Sequence, residues 1–390
     1  MIMFQRRIFN KLSEAVQQFP AVVLTGPRQS GKTLLLREQF PTFTYINLED
    51  PDTLLWAKSD PRALLARNKQ GLIIDEAQCY PALFSYLQGY LDEAPKKPPV
   101  ILSGSQNFLL VDNISQSLAG RVAIFEFLPL TYEEYMSDNT APALSLWEFL
   151  YSGSYPRPYH ESLDVKLWRN SYIRTYLERD VRSILNVRDL SQFQLFLKLC
   201  AGQHGQLLNL NNIARDCGVS FTTANKWIGL LEASYIVYRL QPYHNNYRKR
   251  LVKTPKLYFY DSGLVCQLLG IESADHLQMH AQRGEIFEGF VITEIVKHYF
   301  SKGERPPIYF WRDHTGLEVD CILDRALNPL AIEIKSTATA TPDIMNGLRK
   351  WQAAAQYPAD QCVVVYAGDQ QQGFKEISLF PFQAFYKVLD

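Results

Sequence analysis

Apolar residues fall in short, nearly continuous runs up to about Pro142, and each run is followed by a helical pattern. The runs are AVVLTG (21–26), FTYINLE (43–49), GLIID (71–75), PVILSG (99–104) and VAIFEF (122–127). Such runs alternating with helices predict βαβ units and a parallel sheet covered on both faces. From Leu144 to about Tyr243 the spacing turns helical, as in LWRNSYIRTYLERDVRSIL (167–185), and predicts a separate helical region. From about Lys256 strand-like runs return, in YFY, PPIYFW, EVDCILD, LAIEIK and QCVVVYA. They predict a second α/β or α+β domain with its own core. The expected division is therefore 1–143, 144–255 and 256–390, because a chain of 390 residues exceeds one ordinary core.

Directly after the first run stands Gly26-Pro27-Arg28-Gln29-Ser30-Gly31-Lys32-Thr33, a full match to G-x-x-x-x-G-K-[ST], and LLLREQF continues it as a helix. The glycines let the backbone curl so that successive N–H groups point at phosphate oxygens, and the helix N-terminus adds positive potential. All eight residues are candidate contacts to ATP. Lys32 is expected at the β- and γ-phosphates, and Thr33 offers its hydroxyl to Mg2+. GLIID-Glu76 sets Asp75 and Glu76 at the carboxyl end of a hydrophobic strand, where open α/β sheets bind ligands. Asp75 is assigned to the magnesium shell and Glu76 to the attacking water. Strand, loop, helix and a later acidic strand in this order argue against a chance match. In Ser103-Gly104-Ser105-Gln106-Asn107, Ser105, Gln106 and Asn107 are candidate γ-phosphate sensors, Gln106 being the one assigned, with a helix cap as the alternative. Arg121 is a candidate arginine finger, or one half of a plain salt bridge.

Forty basic and forty acidic side chains give a formal net charge of zero. A polycation built to coat nucleic acid is excluded, so any such contact is local. Six cysteines stand singly, without the close pairs of a zinc knuckle or a redox motif, and read as buried small hydrophobes in a reducing compartment. No run reaches the roughly eighteen apolar residues of a membrane span. A cytoplasmic protein without a membrane partner is expected.

The blocks GPRQSGKT, YINLED, IIDEAQ, LSGSQN and SLAGR with LPLTYEEY resemble a family of prokaryotic AAA-type ATPases. Members carry a C-terminal domain of unknown function thought to have a PD-(D/E)XK nuclease-like fold. SGSYPRPY, TYLERDVRSI, PKLYFYDSGL, GEIFEGFVITEI and AIEIKST extend the likeness over nearly the whole chain. The resemblance implies a P-loop domain of AAA type, a helical middle and a nuclease-like α/β end. It also favours Arg121, in the LAGR block, as the finger.

Two further constellations bear on DNA. LNLNNIARDCGVSFTTANKWIGLLEASYIVYRLQPY (208–243) reads as helix, turn, helix and β-ribbon, similar to a winged helix. Gly218 falls at the turn, Ser220 caps the next helix, and Thr222, Thr223, Asn225 and Lys226 decorate its exposed face. Tyr247-Arg248-Lys249-Arg250, with Lys253 and Lys256 behind, is placed to touch phosphates, unless the module is a scaffold with solvated charges. In the last region Glu288 lies on a helix, Asp320 ends GLEVD, and Glu333 and Lys335 form E-x-K on one face of a strand. Glu288, Asp320 and Glu333 are candidate magnesium ligands, and Lys335 the catalytic lysine that orients a water. Glu318 and Glu294 rank lower, and His314 reads as a loop residue. The expectation is an ATP-hydrolysing machine acting on DNA, with homo-oligomers and protein partners as further associations. Its rival is a nucleotide-dependent scaffold whose nuclease-like part is inert.

Overall fold

The computed structural model describes residues 4–92, 98–105, 118–177, 190–243, 253–326, 328–355, 358, 361–374 and 377–389. The first five runs form strands β1 (Ala21–Thr25), β2 (Thr44–Asn47), β3 (Leu72–Asp75), β4 (Val100–Gly104) and β5 (Val122–Glu126). They make one parallel sheet in the order β2-β3-β4-β1-β5. Strands β1, β3 and β4 are buried throughout, while edge strands β2 and β5 are only partly covered. Alternation divides their side chains between two apolar layers. Ala21, Val23, Ile74 and Leu102 pack into one layer, and Val22, Leu24, Ile73 and Ile101 into the other. The helix Phe9–Gln18 closes the second layer with Leu12, Ala15 and Val16, one face of a 3.6-residue period.

In the middle region the helix Leu190–Gly202 leads into β6 (Gln206–Leu207), and the helices Leu210–Asp216 and Phe221–Ala233 follow, then β7 (Val237–Leu240) and β8 (Lys256–Phe259). Gly218 adopts φ 67° at the turn, and Ser220 caps the second helix by accepting from the Thr223 amide at 3.1 Å. Thr222, Asn225 and Lys226 face solvent, as expected, and Thr223 is half-buried. The inner face is held by Trp227, edge-on to Phe193 and Phe196 at 5.3 and 5.2 Å.

Strand β8 pairs antiparallel with both β6 and β7. The boundary expected between residues 255 and 256 therefore cuts through a three-stranded sheet, and β8 belongs with the middle region. The last domain has a core of its own on one face of its sheet, around Ile322, Val364 and Trp351, and shares the core on the other face. Its long helix, Arg283–Ser301, is buried on nearly every face, not along one stripe. There Phe287 and Phe290 meet Phe149, Trp147 and Phe382 in one apolar cluster that runs from Phe4 to Leu389. Behind that helix lies a six-stranded sheet ordered β13-β14-β12-β11-β10-β9. It comprises β9 (Ile308–Arg312), β10 (Glu318–Leu323), β11 (Leu330–Lys335), β12 (Cys362–Tyr366), β13 (Gln372–Phe374) and β14 (Ile377–Pro381). The first three run antiparallel, and β11, β12 and β14 run parallel. The helix Asn346–Ala355 covers the other face through Leu348 and Trp351. Five cysteines are buried and Cys79 is half-buried. Among the described residues no helix is long and apolar enough to cross a membrane.

Candidate functional site

The loop after β1 turns sharply enough that a Cβ on Gly26 would lie 2.0 Å from the carbonyl oxygen of Phe127, so only glycine fits there. Gln29 and Gly31 both take left-handed backbone, at φ 61° and 96°, before the helix Lys32–Gln39 begins. Lys32 is buried, and its Nζ donates to the carbonyls of Gly26 and Pro27, each at 2.8 Å. Burial lowers its ammonium to about 8, against the pull of Glu76 and Asp75. Thr33 Oγ1 donates to Asp75 Oδ2 at 2.7 Å, and the Tyr45 hydroxyl donates to the same oxygen at 2.8 Å. Burial and the Asp75 charge push the Tyr45 hydroxyl upward, so it remains a donor. The Thr33 hydroxyl and the Asp75 carboxylate form a pair of adjacent hard oxygens, a donor set that suits magnesium. Glu76 follows with φ 52° and accepts from the Gln78 amide and, at 3.0 Å, from Ser105 Oγ at the end of β4. The polar run after β4 thus reaches the site through Ser105, while Gln106 lies outside the described residues.

This loop borders a cavity of about 690 Å³, walled also by Phe4, Arg6 and Phe9 on one side and Pro156, Arg157 and His160 on the other. Several of these were invisible to pattern reading. Arg6 donates to the carbonyls of Ser30 at 3.0 Å and Leu128 at 2.6 Å, and pairs with Glu134 at 3.1 Å. Trp168 Nε1 donates to Gln29 Oε1 at 2.9 Å. The Tyr235 hydroxyl meets Thr25 Oγ1, at the last residue of β1, at 2.6 Å and Glu126 at 3.3 Å. The middle region therefore touches the phosphate loop through Trp168 and the end of the strand before it through Tyr235. Tyr235 takes left-handed backbone, at φ 56°, just past the end of the helix Phe221–Ala233, where glycine is the usual residue, so its type gave no signal. Arg121 stands apart from the cavity walls: its Nε pairs with Asp92 at 2.7 Å on the half-exposed surface.

The second constellation forms where β10 and β11 face the helix Arg283–Ser301 and strand β8. One carboxylate oxygen from each of Glu288, Glu318 and Asp320 lies within 4.8 Å of the other two. Glu318, ranked low from sequence, is in this trio, and Glu333 is outside it. Glu333 Oε1 accepts from Lys335 at 2.6 Å, and Asp320 Oδ2 accepts from the Ile334 amide at 2.7 Å. Burial, with Asp320 adding, raises the Glu333 carboxyl to about 8. Glu288 is raised to about 7 by burial, with Lys256 opposing. Lys256, read from sequence as part of an exposed basic run, is only 2% exposed. Its Nζ pairs with Glu288 at 2.9 Å and with Glu318, while Tyr258, two residues along the same strand, also donates to Glu288. Arg312 holds the other Glu318 oxygen at 2.9 Å. The trio has enough oxygens for a divalent ion, but two of its members already neutralise a lysine. Glu294 lies elsewhere, buried against Lys297 at 2.9 Å, and His314 is an exposed turn residue. The basic run 247–250 lies outside the described residues.

A parallel sheet with a phosphate loop after β1 and an acidic pair after β3 defines a P-loop ATPase domain, and residues 18–136 match the AAA domain family. This is an AAA-type ATPase domain. Residues 144–275 match a domain of unknown function, DUF8612, and residues 283–385 another, DUF4143. Uncharacterized proteins of Mycobacterium tuberculosis and Mycobacterium bovis are each 32% identical over 378 residues, 95% of this chain and 82% of theirs. The chain belongs to the family of these proteins. An uncharacterized protein of Methanocaldococcus jannaschii is 22% identical over 333 residues, 77% of this chain and 71% of its own. A Walker-type ATPase of Pyrococcus abyssi, 16% identical over 68% of this chain and 96% of its own, superposes with a TM-score of 0.43, too slight to bear on function.

Proposed function

We propose that the protein binds and hydrolyses ATP and uses the nucleotide cycle to act on DNA. In this reading the loop amides and Lys32 hold the phosphates, and Glu76, positioned by Gln78 and Ser105, orients the attacking water. Thr33 and Asp75 would hold magnesium, which neutralises charge on the transferring phosphoryl group. Phe4, Phe9 and the short helix Pro156–His160 enclose the rest of the nucleotide. Arg121, paired with Asp92 within its own subunit, serves a neighbouring subunit of a homo-oligomer as the finger. Arg121→Ala then lowers turnover and leaves nucleotide affinity unchanged.

The DNA part of the reading is supported by the element order helix, strand, helix, helix, strand, strand over 190–259, which is that of a winged helix, and by the exposed Thr222, Asn225 and Lys226. The observation that carries the coupling is the pair of bonds from Trp168 and Tyr235 to the phosphate loop and its strand. A loop that tightens on a triphosphate pulls on the module that carries the DNA-reading helix. The expected result is ATPase activity that rises with DNA and DNA binding that weakens with salt. Absence of both with every DNA form tested would refute it. A specific observation favours a second reading for the last domain. Its helix, three antiparallel strands, helix and parallel strand follow the order of a PD-(D/E)XK core, yet Lys256 sits on its carboxylates. That domain then binds DNA or protein partners without cutting.

A further inference from the structure

The acidic cluster of the last sheet is reached by a cation from outside its own domain. Lys256 stands on β8, whose backbone pairs with β6 and β7 of the middle region, and its side chain is buried. Strand geometry sets Lys256 and Tyr258 on one face, and both reach Glu288. The ammonium also pairs with Glu318, whose second oxygen is taken by Arg312. Four carboxylates, Glu288, Glu318, Asp320 and Glu333, thus stand with three cations, Lys256, Arg312 and Lys335, among the described residues. Even with all four carboxylates ionised the cluster carries one uncompensated negative charge, and burial, which raises Glu288 and Glu333, leaves it less. A divalent ion added to it would leave an excess of positive charge in a buried place, where like charges repel strongly. The ion and the Lys256 ammonium would also compete for the carboxylates of Glu288 and Glu318. Glu333 Oε2 is buried without a hydrogen-bond partner among the described residues, so one acceptor remains for an incoming cation.

We propose that Lys256 is a tethered counter-cation that occupies the metal position of this cluster, so that a divalent ion enters only when strand β8 withdraws. The strand that carries it pairs with β7, which follows Tyr235, and Tyr235 bonds Thr25 at the end of the strand that leads into the phosphate loop. Metal entry is therefore tied to the arrangement of the middle region, and the last domain is closed as it stands. This rests on reading residues 283–385 as nuclease-like, and the test separates the two claims.

Mn2+ binding to the full-length chain, without nucleotide, is measured by electron paramagnetic resonance of the free ion. Wild type and K256R are expected to retain no D320N-sensitive Mn2+ at concentrations where K256Q and K256M do. The two neutral variants should gain at least about tenfold in apparent affinity. Adding D320N to K256M should abolish the retained ion. The proposal is overturned if wild type retains Mn2+ in a D320N-sensitive way, or if a folded neutral variant, judged by circular dichroism, retains none. Should both neutral variants unfold, the comparison of wild type with D320N decides: sensitive retention overturns the proposal and its absence supports it. A K256M protein that retains Mn2+ but does not nick plasmid DNA leaves the tethered cation standing and removes the nuclease-like reading.

Discussion

The phosphate loop and the C-terminal acidic cluster use the same ingredients, a buried lysine and nearby carboxylates, with opposite results. In the first, Lys32 rests on two backbone carbonyls, and Asp75 and Glu76 accept from the neutral donors Thr33, Tyr45, Gln78 and Ser105. In the second, Lys256 rests on the carboxylates themselves. What a lysine leans on decides whether nearby acids are ready for a ligand. A carbonyl holds an ammonium through a dipole and yields it easily, whereas two carboxylates at contact distance in a buried site hold it by full charge.

The comparison is tested most severely at Glu76. Glu76→Gln should keep ATP bound while turnover falls by roughly 10²–10⁴-fold, measured as phosphate release at saturating nucleotide. Unchanged turnover would remove Glu76 from the chemistry. Next, Lys32→Ala should weaken nucleotide binding by about 2–5 kcal/mol in equilibrium titration, while K256M leaves that affinity as it was. Equal losses in both variants would erase the distinction between the two lysines. A smaller effect is expected at the link between them: Tyr235→Phe removes the hydroxyl shared by Thr25 and Glu126, and should cost about 1 kcal/mol in urea unfolding.

The smallest effect concerns pH. Glu126 is mostly buried, and desolvation raises its carboxyl above the ordinary range. A raised carboxyl binds a proton more tightly when folded, so its ionised form costs stability. That cost is absent below the unfolded value of about 4.3 and complete above the folded one. Glu126→Gln, which retains an acceptor for Tyr235, should therefore raise the melting temperature at pH 8, by the equivalent of about 0.5 kcal/mol. The gain should fade as pH falls toward 4.3. A gain independent of pH would point to packing instead.

Much of the first domain was legible because its signals are local. All five strands lie within the apolar runs, and the loop residues that curl around a phosphate are contiguous. The turn at Gly218 and the cap at Ser220 were legible for the same reason. Arg6, Trp168 and Tyr235 were not, because each reaches the site across a long stretch of chain and looks ordinary among its neighbours. In the last domain the sequence did not show which side chains meet. Glu318 replaced Glu333 in the close trio, and Lys256 turned from solvent to the interior.

By itself the sequence determined the phosphate loop, the acidic strand end, the helix-turn-helix and the strand that carries E-x-K. Each depends on period and on residues a few positions apart. Only the tertiary structure decided where the domains meet, which carboxylates converge, and that β8 delivers its lysine to another domain's acids. Those outcomes follow from packing of two-sided apolar elements, such as Arg283–Ser301, against surfaces far along the chain. Long-range packing carries no period, and the charge that ends up beside a carboxylate is set by which strand the core can accommodate.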